Sequence, residues 1–178
     1  MKFFIETERF ILRDILVSDI DGMFELDADP EVHRYLGNKP IKTKEQALET
    51  IRFIRRQYDE YGIGRWAIID KKTSEFLGWS GLKYNTEPVD KYVNFYDIGY
   101  RLIKRYWGKG IASETAERSL KYAFDELKYE EILGMADCRN TGSNKILTKI
   151  GLHFIETFKY ENDLCNCYKL SRQGYLSK

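Results

Sequence analysis

The sequence predicts an α+β fold of about seven strands and about four helices. Two periodicities carry that reading: apolar residues recur at helical spacing in four long stretches, and they alternate every second residue in the middle and at the end of the chain. A third observation, that no repeat, low-complexity tract or linker interrupts the pattern, makes residues 1–178 one domain. The alternation in Arg9-Phe10-Ile11-Leu12-Arg13 marks a first strand. Ser18, three residues before Asp21, resembles the cap of a helix from Asp19 to Ala28. Asp29-Pro30 reads as a cap with proline in the first turn, opening a short helix through Leu36. Thr43 and Gln46 form a capping box for a helix to about Tyr61, with Ala47, Ile51, Ile54 and Tyr58 as its buried stripe and Arg52, Arg55 and Arg56 on solvated faces. After Gly62 and Gly64 the period falls to two. Trp66 and Ile68, then Phe76 to Tyr84 beyond a Lys71–Ser74 turn, then Tyr92 to Leu102 beyond a loop with Pro88, predict an antiparallel meander. A long helix from Gly110 to about Leu127 turns Ala112, Ala116, Leu120, Ala123 and Leu127 inward. A strand over Ile132–Asp137 and a helix over Thr141–Lys149, capped by Asn140 and closed by Gly151, come next. Strands over about Leu152–Tyr160 and Leu164–Leu170 finish the chain.

Composition removes several classes of function. Twenty-nine basic against twenty-eight acidic side chains leave a net charge of +1, so no global field calls for nucleic acid or an anionic membrane as partner. The start, Met1 to Glu6, meets a charge before any signal-peptide stretch develops, and no run approaches the ~20 apolar residues of a membrane helix. A cytoplasmic protein is expected. Cys165 and Cys167 would sit about 6.6 Å apart on one face of a strand, poor disulfide geometry. With Cys138 as the third cysteine and only His33 and His153 in the chain, reduced thiols and no metal site are expected.

The informative stretch joins the strand ending near Leu102 to the helix starting near Gly110: Arg105-x-x-Gly108-x-Gly110-x-Ala112. Glycines at 108 and 110 remove the side chains that would hold an anion off, backbone N–H groups can converge there, and the positive end of the helix dipole lies behind them. Lys104, Arg105 and Lys109 add local positive charge to a nearly neutral chain. A phosphate or pyrophosphate is the ligand such a loop favours. It is not a P-loop, since Lys109 is followed by Gly110 rather than Ser or Thr. A dinucleotide fingerprint departs at Ser113 and would open a parallel sheet directly at the strand end, whereas Ile103 to Trp107 intervene here. A plain glycine-rich turn remains open for the two glycines alone.

The whole order resembles the acetyl-CoA signature of the GNAT superfamily, and Tyr106-Trp107-Gly108-Lys109-Gly110-Ile111-Ala112 is similar to the form in its RimJ/RimL-type branch. Glu6 to Arg13 resembles that branch's opening strand, Asp97-Ile98-Gly99-Tyr100 its central strand, and Asn140-x-x-Ser143 followed by Lys149-Ile150-Gly151-Leu152 its second cofactor segment; Cys167 to Arg172 resembles the closing strand. The resemblance spans nearly the entire chain. It implies a single-domain GNAT fold with a mixed, mostly antiparallel central sheet, whose splayed strands Tyr92–Leu102 and Ile132–Asp137 receive the pantetheine arm of acetyl-CoA, the co-substrate. Gly108, Lys109, Gly110, Ile111 and Ala112 would bind the pyrophosphate, with Arg105 beside it, and backbone at Leu102 and Ile103 would pair with the pantetheine amides. Asn140 would serve the pantetheine arm, the helix cap, or both.

An amine loses its proton before it attacks a thioester, so a carboxylate base is expected. Asp97 is the first candidate, against a plain salt bridge, and Glu114 the second, against a role at the helix dipole. Many GNAT enzymes place a tyrosine acid where this chain has Leu147, which leaves Ser143 as the polar group near the leaving thiol. The expected activity is acetyl transfer to a primary amine of a small molecule or a protein N-terminus, with a non-catalytic acetyl-CoA sensor as the alternative and a dinucleotide reductase further behind. Segments 29–42 and 85–91 would select the acceptor, and Tyr35, Trp79, Tyr84 and Tyr100 could line its pocket or pack the core. A homodimer through a sheet edge or the aromatic strands is compatible with the sequence, though no feature forces it.

Overall fold

The computed structural model describes residues 4–177. Its strands are β1 (Phe4–Glu6), β2 (Phe10–Asp14), β3 (Arg65–Asp70), β4 (Phe76–Asn85), β5 (Phe95–Leu102), β6 (Glu131–Asp137), β7 (His153–Tyr160) and β8 (Asp163–Ser171). Its helices are α1 (Ile20–Ala28), α2 (Pro30–His33), α3 (Lys44–Tyr61), α4 (Ile111–Lys121), α5 (Thr141–Lys149) and α6 (Arg172–Leu176). All eight strands join in one sheet, in the order β1-β2-β3-β4-β5-β6-β8-β7. Every neighbouring pair is antiparallel except β5 and β6, which run parallel and meet at a single register pair, Asp97 with Leu133. β5 is otherwise paired along its length to β4, and β6 to β8. The sheet is thus two antiparallel halves that touch at one point and part toward the carboxyl ends of β5 and β6.

Each face of the sheet buries its own apolar set, because successive strand residues point to opposite sides. Trp66, Ile68, Leu82 and Ile98 join Ile111, Ala116 and Leu120 of α4 and Leu147 of α5 in the larger core. Ala67, Trp79 and Ile103 meet Met23 and Leu26 of α1 and Ala47, Ile51 and Ile54 of α3 on the other side. At Gly134 the backbone approach is close: a Cβ there would stand 2.6 Å from Leu147 Cδ2 and 2.9 Å from Leu152 Cδ2, so the glycine lets α5 lie directly on β6. Among the described residues no helix is long and apolar enough to cross a membrane.

The α+β class holds, with eight strands and six helices where about seven and about four are expected. The additional β1 and α6 span three and five residues, too short to show a periodicity. Ser18 does not cap α1. That helix starts at Ile20, and Asp19 instead accepts from Leu16 N (2.8 Å) and pairs with the Arg13 guanidinium at 2.7 and 2.8 Å. The short second helix ends at His33 rather than Leu36, and the chain turns through Asn38 in left-handed geometry. The meander's third strand starts at Phe95, since Tyr92 is instead bridged to Val89 within the preceding loop. The long helix expected from Gly110 to about Leu127 is α-helical only to Lys121; Tyr122–Glu126 widen into a π-turn. Arg55 is no solvated cation: its guanidinium donates to Ile15 O at 2.9 Å. All three cysteines are free thiols, Cys138 and Cys165 partly buried and Cys167 buried.

Candidate active site

The gap between β5 and β6 is flanked by two helix starts, because each strand runs on into a helix: β5 through residues 103–110 into α4, β6 through residues 138–140 into α5. At α4 the helix opens without a side-chain cap, from Gly110 in the left-handed conformation (φ 75°). Gly108 has the same geometry (φ 74°), and a Cβ there would meet no atom within 4 Å. The unpaired first-turn N–H groups and open space above the loop fit a pyrophosphate.

Two residues hold this loop: Arg9, expected only as part of the first strand, and Glu114, expected as the second candidate base or a partner of the helix dipole. Arg9 at the edge of β2 donates through Nη1 to Lys109 O (3.0 Å) and through Nε to Glu114 Oε2 (2.7 Å), while its backbone N–H donates to Glu114 Oε1 (3.0 Å). Glu114 is therefore occupied as a clamp. Burial pushes its carboxyl up, but hydrogen bonds from Thr7 and Arg9 and the Arg9 charge outweigh that and hold it below the ordinary value. Arg9 lies in the segment that carried the opening-strand resemblance, which is the only trace of this role in the sequence.

Lys104, Arg105 and Lys109 stand exposed around the loop. Arg105 is ion-paired with Glu25 and lies over the Tyr106 ring at 4.6 Å, and Lys109 Nζ is 5.4 Å from the same ring. Lys104 is 4.0 Å from Glu31. Leu102 and Ile103 are less available as a strand edge than the sequence suggests. The Leu102 carbonyl accepts from Trp107 Nε1 (2.8 Å), and the Ile103 N–H is spent on Leu77 O (3.0 Å). One lone pair of Leu102 O remains beside the indole bond. Ile111 and Ala112 are buried in the first turn of α4.

On the face of β5 toward α1 and α3, Asp97 Oδ1 accepts from Arg65 Nη2 at 2.9 Å. Arg65 also donates to Gly81 O (2.6 Å) and Asp97 O (3.3 Å), and a Cβ at Gly99 would strike the guanidinium at 2.7 Å. The glycine makes room for the arginine. Burial pulls the Arg65 guanidinium down against the pull of Asp97, and it does the same to Lys83, which faces Asp97 across the β4–β5 register. Trp79 lies between two guanidinium groups, Arg65 at 5.3 Å and Arg101 at 5.0 Å. Arg101 in turn holds buried Asp27 at 2.6 Å, and His33 Nε2 lies 3.4 Å from the same oxygen. Burial first, and the Arg101 charge second, lower the His33 pKa.

At α5 the Asn140 side chain caps the helix, Oδ1 accepting from Ser143 N at 3.1 Å. Ser143 Oγ lies 3.1 Å from Tyr100 Oη. Leu147 is fully buried against Gly134 and offers no polar atom. A cleft of about 450 Å³ opens between the segment 30–39 and the β7–β8 hairpin, walled by Glu31, Arg34, Lys39, Arg139, Glu161 and Asp163. Segment 29–42 thus borders it, whereas residues 85–91 do not. Of the aromatic candidates, Tyr84 packs against Tyr61 and Tyr96, and Tyr35 lies beneath Arg34.

The sequence model of the acetyltransferase (GNAT) domain matches residues 9–153. The uncharacterized protein YkkB of Bacillus subtilis (strain 168) is 32% identical over 170 residues, covering 95% of each chain. The uncharacterized N-acetyltransferase p20 of Bacillus licheniformis is 33% identical over 144 residues, covering 81% of this chain and 79% of that one. The crystal structure of a GNAT-family acetyltransferase from Bacillus anthracis superposes with a TM-score of 0.79 at 24% identity, over 96% of this chain and 99% of that one. Members of the family use acetyl-CoA as co-substrate. The chain is thus a member of the GNAT acetyltransferase family, an N-acetyltransferase.

Proposed function

We propose that the chain moves the acetyl group of acetyl-CoA to a primary amine, on a small molecule or a protein N-terminus, by direct attack in a ternary complex, as a cytoplasmic member of the RimJ/RimL-type branch. The observation that carries the reading is the glycine loop at the uncapped start of α4, placed where β5 and β6 part. Backbone N–H groups from Gly108 to Ala112 would hold the pyrophosphate, with Arg105 and Lys109 adding charge around it. Leu102 O would pair with the pantetheine arm, and Asn140, whose Oδ1 is committed to the cap, has its amide N–H groups to offer. The thioester supplies an activated acetyl carbon. Asp97 is the base, and because Arg65 occupies Oδ1 it takes the amine proton through its other oxygen or a water. Ser143 would bond the departing sulfur. The acceptor would approach through the cleft between segment 30–39 and the β7–β8 hairpin.

The buried, non-polar Leu147 favours a second reading, an acetyl-CoA-binding sensor without turnover. Titration calorimetry with acetyl-CoA tests the first step, comparing the wild type with Gly108→Trp, whose side chain would fill the space above the loop. Loss of binding in a folded variant supports the loop, and no binding by the folded wild type refutes both readings. Thiol release on adding amines then separates enzyme from sensor.

A further inference from the structure

Tyr100 and Ser143 link the two halves of the sheet close to where they separate. Tyr100, three residues past Asp97 and on the opposite face of β5, reaches the first turn of α5. Its Oη donates to Ser143 O at 3.0 Å and stands 3.1 Å from Ser143 Oγ. One phenol proton cannot serve both serine oxygens. With the proton on the carbonyl, Oη accepts from Ser143 Oγ–H; with the proton on Oγ, the serine hydroxyl is released to donate elsewhere. Burial pushes the Tyr100 phenol well above its ordinary value, against the Ser143 hydrogen bond, so it stays protonated and acts as a hydrogen-bond partner rather than as a proton source. The nearby helix residue Leu147 contributes no donor.

We propose that Tyr100 is a positioning residue for acetyl transfer: its hydroxyl sets the direction in which Ser143 Oγ–H donates, so that Ser143 stabilises the departing thiolate. The proposal rests on the reading that the thioester lies in the β5–β6 gap. As the amine nitrogen bonds to the acetyl carbon, the carbon–sulfur bond breaks and its electron pair goes to sulfur. The surplus amine proton leaves on the Asp97 side, neither hydroxyl ionises, and the thiolate takes its proton from water after release.

Coenzyme A itself is the probe, its bound thiol titrated by the ultraviolet absorbance of the thiolate. In the wild type the bound thiol ionises about one pH unit below the thiol of free coenzyme A titrated alongside; in Tyr100→Phe and in Ser143→Ala it returns to the free value, and the double variant is no different from either single one. With an acceptor in hand, Tyr100→Phe lowers kcat roughly tenfold and leaves the acceptor KM unchanged. A bound thiol that ionises in Tyr100→Phe as in the wild type overturns the proposal, and so do additive shifts in the double variant, which indicate a packing role. Because Ser143→Ala removes the same donor from a partly exposed position, it supplies the comparison if Tyr100→Phe melts early. Failure of the folded wild type to bind coenzyme A at any pH instead refutes the donor-site reading itself, and this proposal with it.

Discussion

Replacing Arg9 by alanine separates the glycine loop from the sheet without touching the loop's own residues. The guanidinium makes two hydrogen bonds, to Glu114 and to Lys109 O. The Glu114 pair is partly exposed, with side chains 44% and 23% accessible, so solvent screening limits it to about 0.5–1 kcal/mol. The charged hydrogen bond to the Lys109 carbonyl adds about 1.5 kcal/mol. The Arg9 backbone N–H still donates to Glu114 in the variant, so α4 keeps one tether. Together about 2–2.5 kcal/mol of loop order is lost, and at about 1.4 kcal/mol per factor of ten the Kd for acetyl-CoA should rise roughly thirty- to sixtyfold. Calorimetric titration well below the melting temperature measures this, with Arg52→Ala, an exposed arginine on α3, as the control for a lost positive charge. A Kd for Arg9→Ala within about twofold of wild type would refute the claim that this clamp organises the loop.

Two further outcomes follow from buried charges. Arg65→Met leaves the Asp97 carboxylate and the Gly81 carbonyl without their donor in a site that is 11% accessible on the arginine side, and it should cost about 3–5 kcal/mol in urea unfolding; a loss under about 1 kcal/mol would mean that water replaces the guanidinium. Asp137, at the end of β6, is held below the usual carboxylate range chiefly by hydrogen bonds from Arg139, against the opposing effect of burial. A depressed folded value means that this stabilisation is complete above the unfolded value of about 3.9 and fades as pH falls through the lower folded value. Asp137→Asn should therefore melt below wild type at neutral pH, with the difference closing under about pH 4; a difference independent of pH would place the effect in packing.

Periodicity and local chemistry determined most of the elements, because they depend on residues close in the chain. The Thr43–Gln46 capping box, the Asn140 cap and the glycine loop at 108–110 can each be read within a few residues, and each forms locally. Boundaries shifted where other contacts competed: the expected Ser18 cap gave way to Asp19, which accepts from Leu16 N and pairs with Arg13, and Tyr92 left the strand for a bridge to Val89, its hydroxyl donating to Glu156. The candidate residues Asp97 and Ser143 could be named from the motif order, but nothing near them in sequence announces Arg65, or that Tyr100, named only as a pocket or core aromatic, meets Ser143. Arg65 reaches Asp97 from two strands away in the sheet, across Gly99, and Tyr100 reaches Ser143 across 43 residues of chain. The Arg9–Glu114 clamp spans 105. The sequence by itself determined the fold class, most of the elements and the place of the glycine loop before α4, since those follow from spacing along one segment. Only the tertiary structure decided which charges are paired, which hydroxyls meet and where the sheet parts, because those depend on distances between segments that side-chain spacing does not encode.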